Sequence, residues 1–218
     1  MSDVGTLQRL QPTTAAETAQ QLRWASEQQL AVVVRGNGTK AQWGVPAQRT
    51  DVVLSTTGLR RGLDHCAGDL TVTAPAGLTL AEVNAHLGNE GQWLPLDPWA
   101  GGDSTIGGLL ATNDSGPRRH RYGAPRDLVI GVEFALVDGR TAKAGGRVVK
   151  NVAGYDLGRL LCGSFGTLAV ITAATFKLSP RPPASRTVLV DVPSPQSLAA
   201  VLASLAVSPL TPAAVDVA

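Results

Sequence analysis

Residues 30–40 read LAVVVRGNGTK, an apolar, β-branched run followed at once by a loop with two glycines. The apolar run predicts a buried strand that ends at Gly36. Glycines permit left-handed backbone, so several N–H groups can converge on one anion, and Thr39 and Lys40 add a hydroxyl and a positive charge. The loop lacks the third glycine and the following helix of a dinucleotide-binding fingerprint. Phosphate binding and an ordinary turn between strands both remain open for this stretch alone.

Four further segments combine glycine or basic residues with polar groups. Residues 104–108 (STIGG) predict a helix start, capped by a hydroxyl, whose free N–H groups face an anion, or else tight packing. Residues 116–127 hold four arginines, which fit an anion, an acidic partner or a solvated loop. Residues 163–172 (GSFGTLAVIT) join a glycine turn to a strand and offer backbone groups to a planar ligand. The remaining segment, residues 150–157, reads KNVAGYDL.

The pattern along the chain predicts an α+β protein. Capped helices are expected at 14–28 and 79–87, with further helices at 155–161 and 196–205. Strands are expected at 51–55, 69–74, 128–137 (turning at Asp138-Gly139 into 141–144), 168–178 and 187–192, with a further strand at the end of the chain. Residues 88–126 are punctuated by glycine and show little periodicity, which in a compact domain indicates ligand binding. The proline cluster at 180–183 is the expected linker.

Composition excludes several classes of function. The 218 residues carry 19 basic and 17 acidic side chains, and the net charge of +2 is too small to indicate a nucleic-acid-binding protein. The two cysteines, Cys66 and Cys162, have no partners at metal spacing, so no metal site is expected. The three histidines stand near no serine elbow, and His65 and His86 are expected at the surface. With no 18-residue apolar run and no signal-peptide core, the expected location is the cytoplasm.

In this order and spacing, the segments resemble the flavin-binding domain of the vanillyl-alcohol oxidase and p-cresol methylhydroxylase (PCMH-type) superfamily. The resemblance covers about residues 12–183. It rests on RGNGTK (35–40), VTAPAGLTLAE (72–82), LPLDP (94–98), STIGG (104–108) and GSFGTLAVIT (163–172). Within the superfamily, residues 116–131 and 145–172 are similar to GlcE, the smaller FAD-binding component of bacterial glycolate oxidase.

The resemblance implies a PCMH-type FAD-binding fold of two α+β subdomains, roughly 12–75 and 76–183, within a domain spanning 1–183. The FAD would lie between them, with loop 35–40 around the pyrophosphate, residues 105–108 opposite, and the later segments near the ribityl chain or the isoalloxazine edge. The implied cofactor-binding residues are Arg35, Gly36, Asn37, Gly38, Thr39, Lys40, Pro95, Thr105, Ile106, Gly107, Gly108, Asn113, Gly163, Gly166, Val170 and Ile171.

Two departures from the superfamily pattern shape the expectation. Some members attach FAD covalently through a histidine in the first loop, but this loop reads GTKA over 38–41, so noncovalent FAD is expected. Relatives that oxidise 2-hydroxy acids carry a histidine-rich motif in a carboxy-terminal cap domain. Here no histidine follows His120, and residues 184–218 would supply only the start of a cap.

The implied function is the FAD-binding subunit of a glycolate (2-hydroxy-acid) oxidase complex. A second flavoprotein subunit and an iron–sulfur subunit would be its partners, and the iron–sulfur subunit would accept its electrons. Any peripheral association with the inner membrane would come through these partners. The alternatives are a stand-alone FAD-dependent oxidoreductase for a small hydroxy acid or alcohol, a non-catalytic flavin-binding assembly subunit, and a truncated paralogue. No catalytic base is assigned. Ring-proximal candidates are Tyr122, Lys150 and Tyr155, and candidates for a partner or substrate carboxylate are Arg118, Arg119 and Arg121.

Overall fold

The computed structural model describes residues 7–146 and 156–217, which contain two main β-sheets. The first is parallel, with strand order β1-β3-β2. Its elements in chain order are β1 (Gln8–Leu10), α1 (Ala15–Glu27), β2 (Val32–Arg35) and β3 (Val52–Ser55). Because β2 and β3 are parallel, the chain must travel back along the sheet between them. Residues 36–51 make this return as a loop, which leaves backbone exposed at the carboxyl end of β2.

The second sheet is antiparallel and five-stranded, with order β4-β5-β9-β7-β8. The chain passes from the first sheet to the second between Ser55 and Asp64. The remaining elements are β4 (Asp64–Cys66), β5 (Thr71–Pro75), α2 (Leu80–Leu87), β6 (Gln92–Trp93), α3 (Ile106–Thr112), α4 (Arg119–Tyr122), α5 (Pro125–Leu128), β7 (Val129–Ala135), β8 (Thr141–Gly145), α6 (Leu157–Leu161), β9 (Val170–Lys177), β10 (Ser179–Pro180) and α7 (Pro195–Val207).

The hydroxyl-capped helix starts predicted from sequence are confirmed. Thr14 caps α1 by accepting a hydrogen bond from Glu17 N–H at 3.1 Å, although the Glu17 carboxylate returns to Thr13 N–H rather than to the cap residue. Thr79 and Glu82 form the full reciprocal capping box at the start of α2. Such caps satisfy backbone donors that no helical carbonyl can reach.

Two apolar clusters hold the fold together. The larger packs the five-stranded sheet against α2, α3 and α6, and includes the fully buried Phe176. The smaller joins the two sheets through α1, with Leu22 and Leu54 facing Val170. Full burial of each large apolar side chain is worth roughly 1.5–3 kcal/mol. The smaller cluster therefore fixes the first sheet against the second.

Three strand predictions need correction. Residues 187–192 form no strand, and Val188 and Leu189 are 73% and 93% exposed. A β-branched run becomes a strand only beside a partner, and none of the described strands pairs with it. No strand occurs in the described residues after α7. Strand β2 is half-buried rather than buried, with Arg35 exposed. None of the described helices is long and apolar enough to span a bilayer.

Candidate functional site

A cleft opens where the loop after β2 faces α3 and the segment that leads into β9. Its empty volume, counted to its open mouth, is about 730 Å³. It therefore lies at the carboxyl end of β2, where α/β proteins commonly bind ligands. Its lining residues are 34–41, Thr56, Thr105, Gly107, Gly108, Ala111, Thr112, Phe165, Gly166, Ala169 and Ile171.

The loop after β2 lies so close to its neighbours that side chains would not fit. A Cβ on Gly36 would stand 2.2 Å from Thr105 Oγ1, and one on Gly38 would stand 2.7 Å from Arg35 Nε. Gly38 also has φ of +74°, a region that side chains disfavour. Asn37 fastens the loop by donating from Nδ2 to the Asp103 carbonyl at 2.9 Å. One wall of the cleft is thus bare backbone held in a fixed path.

Helix α3 supplies the opposite wall, but not in the way predicted from sequence. The sequence offered Ser104 or Thr105 as the cap. Thr105 is the residue that caps the helix, and it accepts from Gly108 N–H at 3.3 Å. The N–H groups of Ile106 and Gly107 donate to the carbonyls of Leu78 and Ala76 at 2.8 and 2.9 Å. The expectation of free N–H groups at this helix start is therefore wrong, because tertiary packing already uses them. Gly107 and Gly108 contribute a smooth surface instead.

The segment before β9 closes one end of the cleft. Gly166 has φ of +76°, and a Cβ there would meet Val34 at 3.4 Å. Phe165 is half-exposed at the cleft, also with a positive φ of 53°, and its N–H donates to the Ala111 carbonyl at 2.8 Å. Sequence reasoning missed Phe165, although an aromatic between two glycines was the available signal. An exposed ring at a cleft rim is suited to contact a planar ligand.

The structure brings most of the expected cofactor-binding residues into this cleft. Along β9 the side chains alternate, so Ile171 faces the cleft while Val170 packs into the smaller core cluster. Asn113 ends α3 in a left-handed conformation and accepts from Arg126 N–H at 3.2 Å. Five expected residues do not line the cleft: Pro95, Ile106, Asn113, Gly163 and Val170. Lys150 and Tyr155 lie outside the described residues.

The basic loop around α4 is largely engaged within the chain. The guanidinium of Arg118 lies 5.0 Å from the Trp93 ring centroid, and Arg121 donates to Thr211 Oγ1 at 2.7 Å. Arg119 and Arg126 remain exposed. Of the three arginines predicted to meet a partner or substrate carboxylate, only Arg119 points to solvent without a described contact.

The cysteine and histidine side chains that the sequence analysis considered lie outside the lining of the cleft. Burial raises the pKa of the Cys162 thiol to about 12, and its Sγ donates to Asn113 Oδ1 at 3.3 Å. His65, expected at the surface, is half-buried and bonded to Gln92 at 2.9 Å, while His86 is exposed. No group of three histidine, cysteine or acidic side chains in the described residues is arranged to hold a metal ion.

The cleft's chemistry fits a planar cofactor that carries a diphosphate. Glycine backbone lets phosphate oxygens approach N–H groups closely, and Arg35 supplies a cation beside the loop. A Cβ on Gly36 would collide with Thr105, so the loop can lie this close to α3 only with glycine at that position. Phe165 and Ile171 provide apolar contact at the far end.

Comparison with known proteins agrees with this geometry. A family described as "FAD binding domain" matches residues 7–145. A D-2-hydroxyglutarate dehydrogenase of Xanthomonas citri pv. viticola is 37% identical over 84% of this chain and 39% of that protein. The D-lactate dehydrogenase of Archaeoglobus fulgidus is 37% identical over 79% of this chain and 38% of that protein. The glycolate oxidase subunit GlcE of Escherichia coli is 38% identical over 76% and 47%.

A solved structure of alkyldihydroxyacetonephosphate synthase superposes with a TM-score of 0.68 at 25% identity. The match covers 81% of this chain and 32% of that one. The chain therefore spans about a third to about a half of the length of the proteins that it resembles.

Proposed function

Because the chain belongs to the FAD binding domain family of the PCMH type, with FAD as its cofactor, we propose that it is the flavin-binding part of an oxidoreductase that acts on small 2-hydroxy acids. The observation that carries the proposal is the glycine-walled cleft between the loop after β2 and α3. The relatives of the chain are named for the oxidation of 2-hydroxyglutarate, lactate and glycolate, and each of these acids has a hydroxyl beside a carboxylate.

Different residues of the cleft would contact different parts of FAD. Gly36, Asn37 and Gly38 give the diphosphate a close backbone approach, and Arg35 offsets its charge. Thr105, Gly107 and Gly108 form the smooth opposite wall, while Gly166 and Ile171 bound the far end. When bound, the flavin supplies the acceptor for the substrate's hydride, and the protein orients it and limits water access.

A finer proposal concerns partners. The similarity to glycolate oxidase subunits GlcE and GlcD supports a place in a glycolate oxidase complex, with electrons passing to an iron–sulfur partner. Arg119 and Arg126 are the exposed cations on the basic loop that an acidic partner surface would meet. Reversing both to glutamate should weaken complex assembly at low salt and leave FAD binding unchanged. Unaltered co-purification of the partners would remove the loop from the proposed interface.

The visible spectrum of the purified chain tests the function. The chain, reconstituted with FAD, is mixed with glycolate, D-lactate or D-2-hydroxyglutarate without oxygen. Bleaching of the flavin band by one acid means that this chain itself binds and oxidises that acid. Bleaching only after partner subunits are added assigns the chain a subunit role. Flavin that stays oxidised under both conditions refutes hydroxy-acid oxidation, and protein that takes up no FAD refutes the cofactor site.

A further inference from the structure

Lys40 ends the loop of residues 35–40, called the cofactor loop from here on, and although it lines the cleft, its ammonium is bonded to groups inside the protein. Its side chain is only 5% exposed, and its Nζ lies 3.0 Å from Asp114 Oδ2 and 2.8 Å from Ser104 Oγ. The Asp114 side chain is equally buried, and it also accepts from the Trp99 N–H at 3.1 Å. Lys40 Nζ also lies 3.3 Å from Thr39 Oγ1, so the ammonium has a carboxylate, two hydroxyls and the protein interior around it rather than solvent.

This buried pair connects three segments that are far apart in the chain. Lys40 belongs to the loop after β2, Ser104 precedes α3, and Asp114 follows it. The Lys40 ammonium also lies 5.9 Å from the Trp43 ring centroid, which extends the contact along the loop. Removing one partner of a buried ion pair leaves the other charge uncompensated, so both members are needed to keep the segments together.

Arg35 has the opposite character. It is exposed, no carboxylate among the described residues pairs with it, and its guanidinium stands over Gly38 in the middle of the loop. A diphosphate attracts a cation whose charge is free, whereas the charge of Lys40 is already neutralised at close range. The two basic residues that bracket the loop thus differ in what they can offer a ligand.

We propose that Lys40 and Asp114 are a positioning pair that fixes the cofactor loop against both ends of α3, and that Arg35 is the cation that meets the FAD diphosphate. The inference rests on FAD occupying this cleft. It changes the role expected from sequence, in which Lys40 would contribute its charge to the phosphate directly.

The test measures FAD affinity, from flavin fluorescence, for Lys40→Met, Asp114→Asn, the double variant and Arg35→Met over a range of salt concentrations. Positioning requires Lys40→Met and Asp114→Asn each to weaken binding, roughly tenfold, and the double variant to be no worse than either single one. The salt dependence of binding should be unchanged in Lys40→Met and reduced in Arg35→Met, because salt screens an exposed charge more than a buried pair. Lys143→Met, which breaks the exposed Lys143–Glu133 pair outside the cleft, is the matched control.

The direction in which Asp114→Asn changes FAD affinity distinguishes a positioning role for Lys40 from a counter-ion role. If Lys40 were the counter-ion of the phosphate, removal of the competing carboxylate would free its charge and strengthen FAD binding. Tighter binding by Asp114→Asn, or a flattened salt dependence in Lys40→Met, overturns the proposal. Asp114→Asn decides the question even where Lys40→Met fails to fold. Loss of FAD binding in the unmodified chain would instead refute the cofactor site itself.

Discussion

Substitution of Gly36 by alanine should show how tightly the cofactor loop packs on α3. The new Cβ would stand 2.2 Å from Thr105 Oγ1, and Thr105 is 2% exposed, so its hydroxyl has little room to turn away. Overpacking of a filled site costs about 1–3 kcal/mol, and losing the Thr105 cap of α3 adds about 1 kcal/mol. We therefore expect a loss of about 2–4 kcal/mol, which for a chain of this size lowers the melting temperature by roughly 4–16 °C.

Thermal melts of the apo protein followed by circular dichroism measure this cost, with FAD titration as a second readout. In a Thr105→Ala background the closest remaining Thr105 atom is Cβ at 3.3 Å, so Gly36→Ala should cost less than about 1 kcal/mol there. Gly68→Ala is the control, because nothing lies within 4 Å of that position. The steric reasoning would be refuted if Gly36→Ala melted at the wild-type temperature. It would also be refuted if the substitution lost as much stability in the Thr105→Ala protein as in the wild type.

Four further predictions concern the cofactor, a thiol, a helix cap and a carboxylate. Acid precipitation should leave the yellow colour in the supernatant, because residues 38–41 contain no histidine to bond FAD covalently; colour in the pellet would contradict this. Burial raises the pKa of Cys162 to about 12, so its contribution to stability is present below the ordinary pKa of about 9 and is lost as the pH rises toward 12. The urea midpoint should fall between pH 7.5 and 10.5, and fall less in Cys162→Ala. Thr79→Ala should cost about 1 kcal/mol by removing the α2 cap, as measured by urea unfolding. The hydrogen bond from the Thr79 backbone N–H holds the pKa of Glu82 below its ordinary value. The stability that Glu82 adds is therefore present above the ordinary pKa and lost as the pH falls through the lowered pKa. An acid unfolding curve for Glu82→Gln that is identical to that of the wild type would contradict this.

The two basic residues beside the cleft show why charge alone does not identify a phosphate ligand. Arg35 and Lys40 are five positions apart in one loop and carry the same charge. The fold leaves the first exposed and buries the second against Asp114. Mutation of either residue would reduce FAD binding, but for different physical reasons. Salt dependence and double-variant cycles separate those reasons, whereas activity measurements alone would not.

Local sequence was sufficient for features whose partners lie within a few residues. The caps at Thr14, Thr79 and Thr105 each use a hydrogen bond to a residue three positions along the chain, so their spacing predicts them. The hairpin between β7 and β8 follows from Asp138-Gly139, where Gly139 takes φ of +83°. The glycine segments also identified most of the residues that line the cleft.

Only the tertiary structure decided features whose partners are distant in sequence. The N–H groups of Ile106 and Gly107 are used by carbonyls of an earlier loop, and Lys40 is neutralised by Asp114, 74 positions away. Residues 187–192 have strand composition but no neighbouring strand among the described elements, so they form no strand and are mostly exposed. A sequence shows which groups can bond or carry charge. Whether those groups remain available to a ligand depends on the long-range contacts of the folded chain.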